Sequence, residues 1–234
     1  MLKAPAPKNP VVLSYLALRK AVGAVALGLP FAVAIPWTLE HHAIETSISA
    51  YYYTGMRNLF VGSLCAIGMF MLCTRGYDWM DEIAGTVSAV CAIGVAFFPT
   101  SPVSGATRRQ LVVGDVHYAF AAALFLTLAF FCLVLFRMSA HNHSVTQQKI
   151  QRNRVYTGCG IVILVSLALL PLLTLVFHLQ YVFGDVAPGI FFETTSLLAF
   201  GVAWLVKGET ILKDQTPQPE GAVTRAWNHE LSNR

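Results

Sequence analysis

The stretch VYTGCGIVILVSLALLPLLTLVFHL, Val155–Leu179, holds 25 residues and not one Asp, Glu, Lys or Arg. Wound as an α-helix at 1.5 Å per residue it reaches roughly 37 Å, more than the ~30 Å hydrocarbon core of a bilayer. It has no polar face to turn toward water. In lipid its amides must pair within the segment, and a helix is the structure that pairs them. Five further apolar stretches flank it. The predicted spans are Ala21–Leu39, Met56–Cys73, Ile83–Pro99, Val116–Phe136, Val155–Leu179 and Pro188–Val206. The fold class that follows is all-α: a polytopic membrane protein, a six-transmembrane-helix bundle. Its parts are an N-terminal segment 1–20, the six-helix domain 21–206 and a polar tail 207–234.

Composition agrees. Hydrophobic residues make up 56% and charged residues 12% of the chain, about half the ~25% charge of a soluble domain. The net charge of +4 comes from loops. With no arginine-rich arm and no aromatic RNA-binding motif, it does not indicate nucleic acid as a partner. Cys65, Cys73, Cys91, Cys132 and Cys159 all fall inside predicted spans and form no CxxC pair, so they read as small packing residues. Lys3 and Lys8 precede the apolar run Val11–Leu18, and Arg19 and Lys20 follow it with no small-residue cleavage site. That run is expected to be an interfacial helix rather than a signal peptide.

Cations set the orientation. Lys3, Lys8, Arg19, Lys20, Arg75, Arg137, Lys149, Arg152, Arg154, Lys207 and Lys213 share one side if the chain crosses six times. The opposite loops hold Glu40, His41, His42, Glu45, Asp185 and the exceptions Arg108 and Arg109. Both termini are therefore expected in the cytoplasm, and the chain in the bacterial cytoplasmic (inner) membrane. Trp37 and Trp204 fall at span ends, where indoles anchor. Pro30, Pro36 and Pro171 are expected to bend their helices. Gly62, Gly85, Gly94, Gly158, Gly160 and Gly201 are expected to let helices approach. Gly76-Tyr77-Asp78 reads as a tight turn, and the tail carries Pro217, Pro219 and Trp227.

The unusual polar residues gather at the outer ends of the spans. Glu193 lies five residues into span six, where a carboxylate is costly and needs a partner. Arg57 begins span two. Asp115 and His117 open span four, and His178 closes span five. Tyr51, Tyr52 and Tyr53 precede span two, after Ser47 and Ser49. Each has a plain reading: a Glu193–Arg57 ion pair, a helix cap at Asp115, an interfacial aromatic belt of tyrosines. Each also has a functional one. Glu193, Arg57, His117, His178, Asp115, Tyr51 and Tyr53 are the candidate ligand-binding residues. His117, His178 and Glu193 make a possible metal set, although no HExxH or HxxxH spacing supports it and no cofactor is indicated.

The motifs Ser47-Ile48-Ser49-Ala50-Tyr51-Tyr52-Tyr53-Thr54, Arg57-Asn58-Leu59-Phe60-Val61-Gly62, Gly76-Tyr77-Asp78, Phe97-Phe98-Pro99-Thr100 and Trp204-Leu205-Val206-Lys207-Gly208 together resemble an uncharacterised group of bacterial multi-pass membrane proteins. The resemblance spans residues 20–208 and implies a bundle without an assigned activity. In helix count the chain is loosely similar to the DRAM-like membrane proteins. Ser47 or Ser49, Asp115 and His117 resemble part of the inventory of alkaline-ceramidase-like hydrolases, but helix number differs and the closing HxxxH is missing.

Three functions follow as expectations. The first is binding or transport of a small amphiphile, lipid headgroup or ion at the outward polar site. The second is a metal-dependent lipid hydrolase; the third, a structural or accessory subunit. The expected partners are membrane lipids, with a homo-oligomer or a second membrane protein as further possibilities.

Overall fold

The computed structural model describes residues 10–73, 79–102, 104–138, 147–182 and 184–211. The first nine residues, the Gly76-Tyr77-Asp78 turn and the tail from residue 212 onward lie outside the described residues. Six helices account for the predicted spans: α1 Pro10–His41, α2 Arg57–Cys73, α3 Trp79–Phe97, α4 Arg108–Phe130, α5 Gln147–Pro171 and α6 Pro188–Lys207. A 3-10 helix, Ser49–Tyr53, lies between α1 and α2. No strand occurs among the described residues.

Five of the helices are long and apolar enough to cross a bilayer. The sixth, α2, has 17 residues and sits at the short end of the spanning range. This is the architecture of a multi-pass membrane protein. Each helix packs against the next in sequence, and α6 packs against both α5 and α1, closing the series into a ring. The α1–α2, α3–α4 and α5–α6 connections therefore meet at one end, here the junction end. The other end, which carries Arg19, Lys149, Arg152 and Lys207, is the basic end.

Helix starts differ from the apolar windows. The fourth helix begins at Arg108, eight residues before the predicted Val116, because Thr107 and Gln110 form a capping box. Each side chain takes the other's backbone amide, so the helix starts in polar sequence. Similarly, α1 runs unbroken from Pro10 to His41. Val11–Leu18 is therefore its opening and not a separate interfacial helix. Pro30 and Pro36 leave α1 continuous. Pro171 does end the regular part of α5: the chain continues as the π-helical segment Leu172–Val176. Proline offers no amide to the carbonyl four residues back, and a wider turn accommodates the ring. A second π-helical segment, Phe131–Leu135, extends α4.

Facing glycines bring α1 and α6 close together. A Cβ built on Gly23 would lie 3.0 Å from the Gly201 carbonyl oxygen, and one on Gly201 would lie 3.0 Å from that of Gly23. Two missing side chains let these backbones touch, the small-residue packing of membrane helices. Gly62 and Gly158 meet nothing within 4 Å, so the packing role expected of them does not apply.

The interfacial role expected of Trp204 also fails. It is only 1% exposed and sits among Phe131, Phe136 and Phe200, with ring centroids 5.3–5.9 Å away. Sequence position put it near a span end; packing turned it inward, and its indole N–H finds no acceptor.

Candidate functional site

The junction end is organised by the chain between α1 and α2. His42, at φ 51°, turns α1 off through the left-handed region. The backbone then folds back over α6. The Thr46 carbonyl accepts the Ile190 amide at 2.8 Å, satisfying one of the free amides of the α6 N-terminus. In return α6 supplies Glu193, whose Oε2 accepts the Ser49 amide at 3.2 Å. Ser49 opens the 3-10 helix, so Glu193 acts as a cap donated from a distant helix, 144 residues along the chain. Gly189 makes the approach possible: a Cβ there would come within 2.5 Å of the Thr46 oxygen.

The Glu193–Arg57 pair is not formed. Arg57 is exposed and turns to its own neighbourhood, Nη2 donating to the Tyr52 hydroxyl at 2.6 Å. Its guanidinium carbon stands 4.3 Å above the Tyr52 ring. Glu193 instead meets its cost of burial through a backbone amide, a bond that a carboxylate strengthens.

The 3-10 helix also reaches α3 and α4. Tyr53 donates its hydroxyl to the Thr100 carbonyl at 2.6 Å. The Thr100 hydroxyl donates to the Tyr118 hydroxyl at 2.9 Å. Tyr52 and Tyr53 meet edge to face at 5.4 Å. Tyr51 is fully buried and its hydroxyl accepts the Glu45 amide at 3.4 Å. Burial holds the phenols of Tyr51 and Tyr53 above the usual tyrosine range, so both remain hydrogen-bonding neutral groups.

His117 is buried, 2% exposed, and its Nδ1 lies 2.6 Å from the Phe98 carbonyl oxygen. With the proton on Nδ1, it satisfies a carbonyl at the end of α3. His178 is exposed at φ 50° and turns the chain after the π-helical segment Leu172–Val176, a backbone role. Asp115 is exposed in the second turn of α4 and does not cap it; Thr107 does.

The candidates thus divide. Glu193, Tyr51 and Tyr53 join through the 3-10 helix. His117 joins the same layer by way of Phe98 and its neighbour Tyr118. Arg57 stands on the rim with Tyr52. His178 and Asp115 stand apart. Among the described residues no three His, Cys, Asp or Glu side chains converge as a metal-ligand set. The grouping of His117, His178 and Glu193 therefore has no geometric support.

Sequence reading missed Tyr118 and the role of Thr100. The available signal was a tyrosine beside His117 at a span mouth and the threonine closing Phe97-Phe98-Pro99-Thr100. Nothing in their spacing from Tyr53 revealed the contact.

The helices and the polar layer define a helical multi-pass membrane protein with a hydrogen-bonded cap at one end. No protein-family model, curated protein or solved structure matches the chain.

Proposed function

We propose that the protein binds the anionic headgroup of a small amphiphile at the rim of the junction end, without transforming it chemically. Arg57 carries the reading. Its charge rests on an aromatic face and a phenol, and no carboxylate among the described residues pairs with it. A guanidinium fixed in this way presents its remaining donors to a phosphate or carboxylate. The half-exposed hydroxyl-bearing rings of Tyr53 and Tyr118 extend the rim toward α3 and α4. Glu193 and His117 act one step away, by holding the 3-10 helix and the end of α3.

In this reading the protein lies in the bacterial cytoplasmic membrane, with the rim facing outward and both termini inside. The distribution of charge supports that orientation. Among the described residues the basic end carries seven Lys or Arg against three acids, and the junction end three against five. Cations favour the cytoplasmic side.

The test is native mass spectrometry of the full chain released from phosphatidylglycerol–phosphatidylcholine nanodiscs. The wild type retains phosphatidylglycerol selectively, and Arg57→Gln loses roughly tenfold or more of that selectivity, the weight of a charge-assisted hydrogen bond. Equal retention by both proteins overturns the reading.

A structural or accessory subunit is the second reading. The hydrogen bonds of Glu193 and His117 to backbone groups favour it, because both bonds serve packing. A membrane-protein partner that copurifies stoichiometrically, together with an unchanged lipid profile in Arg57→Gln, selects it.

A further inference from the structure

The rim of the junction end has more hydroxyl protons than acceptors for them. Tyr53 gives its proton to the Thr100 carbonyl at 2.6 Å, inside the protein. Thr100 is 7% exposed, and its hydroxyl donates to the Tyr118 oxygen at 2.9 Å. Tyr118 is 56% exposed, and among the described residues nothing accepts its own proton. Tyr52 stands in the same position. Its oxygen takes an N–H of Arg57 at 2.6 Å, and a guanidinium has no lone pair to offer in return. The Tyr52 proton and the remaining N–H groups of Arg57 are left for a group from outside the chain.

The rim thus has two donor points. One is Arg57 with Tyr52; the other is Tyr118. Tyr52 meets Tyr53 edge to face at 5.4 Å, and Tyr53 and Thr100 connect that pair to Tyr118. The points differ in chemistry. Arg57 is a cation, suited to a phosphate oxygen. Tyr118 is a phenol, suited to a neutral oxygen, and is the third residue of the apolar stretch Val116–Phe136. The start of a span lies where headgroups give way to hydrocarbon. A donor at that level meets little bulk water, and leaving it unmet costs free energy. Exposed Phe97 and Phe98, close before Thr100, offer apolar surface for a hydrocarbon chain. A glycerophospholipid carries matching groups in sequence: a phosphate, then ester carbonyls, then acyl chains.

We infer that the amphiphile at the rim is an ester-linked glycerophospholipid, with its phosphate on Arg57 and Tyr52 and an ester carbonyl accepting the Tyr118 hydroxyl. This rests on the headgroup reading above and narrows it to a ligand with a second acceptor between headgroup and chains. A fatty acid, with one anionic end, has no such group. Tyr118 is then a specificity-determining contact.

The test uses the full chain in phosphatidylcholine nanodiscs that also hold equal amounts of diester and diether phosphatidylglycerol of one chain length. The diether keeps the phosphate and lacks the carbonyls. Native mass spectrometry of the released protein distinguishes the two by mass. The wild type is expected to retain the diester roughly fivefold over the diether, the weight of one neutral hydrogen bond. Tyr118→Phe removes that preference and still selects phosphatidylglycerol over phosphatidylcholine. Thr100→Val breaks the bond to Tyr118 but leaves the Tyr118 donor, so the preference survives; a purely structural role for the pair would abolish it in both variants and overturn the inference. Equal retention of diester and diether by the wild type overturns it too, as does a preference that persists in Tyr118→Phe. If Tyr118→Phe does not fold, the wild-type comparison decides alone. Arg57→Gln separates the two readings. It is expected to lower retention of both phosphatidylglycerols alike. If that loss occurs without any ester preference in the wild type, only the Tyr118 contact is removed; if Arg57→Gln retains both as the wild type does, the headgroup reading falls and this inference with it.

Discussion

Replacing Glu193 tests how the junction end is held. Its Oε2 accepts the Ser49 amide at 3.2 Å, and that amide heads a 3-10 helix whose first three residues, Ser49, Ala50 and Tyr51, are buried. Glu193→Ala leaves the Ser49 donor without an acceptor in a site water reaches poorly. An unsatisfied buried donor costs about 1–3 kcal/mol. Glu193→Gln keeps an oxygen acceptor at the same reach and loses only the charge assistance, of the order of 1 kcal/mol.

The two variants should therefore rank, with Ala the less stable. At roughly 2–4 °C per kcal/mol for a chain of this size, Ala lowers Tm by about 2–12 °C and Gln by a few degrees. Thermal melts in one detergent give the ranking, and hydrogen exchange at residues 49–53 gives the location. Exchange should accelerate there before it does in the α3–α4 pair. Refutation is simple to recognise: Glu193→Ala melts with the wild type, or exchange rises evenly over the bundle. Either result means the carboxylate does not cap the 3-10 helix.

Other expectations follow from single contacts. Gly201→Leu forces side-chain atoms into Leu27 and the Gly23 backbone, and overpacking of this kind costs about 1–3 kcal/mol. Gly62→Ala meets nothing and should be neutral or stabilising by up to about 1 kcal/mol, through helix propensity; parallel melts of the two variants check the contrast. His178→Gly relieves a left-handed backbone at φ 50° and should raise stability by roughly 1 kcal/mol; a lower Tm would show that the imidazole itself is needed.

The phenol of Tyr53 titrates above its unfolded value because burial disfavours the phenolate. Its contribution is therefore complete below about pH 10 and is lost as pH rises through the folded value. Alkaline unfolding of Tyr53→Phe should show a shallower pH dependence than that of the wild type, and identical profiles would contradict the burial-raised phenol of Tyr53.

The helices were readable one at a time because hydropathy is a local property. Val155–Leu179 must be helical in lipid whatever surrounds it. The starts of α4 and α5 were less readable, since Arg108 and Gln147 are polar and lie outside any apolar window. Trp204 shows the limit more sharply. Its place in the sequence is a span end, but its environment is an aromatic cluster drawn from the π-helical extension of α4, the residue just past it and α6.

For the polar residues, the sequence alone determined that Glu193 sits where a carboxylate must find a partner, because the cost of burying charge depends only on depth in an apolar span. It also determined that tyrosines, Arg57 and His117 fall at one end. Only the tertiary structure decided which partner each took. Glu193 chose an amide of the α1–α2 connection over Arg57, and His117 chose the end of α3 over a shared metal site. Those choices depend on the lateral order of the helices and on how the α1–α2 chain folds over α6. Contacts between groups 144 residues apart are set by packing in three dimensions, and no periodicity along the chain encodes them.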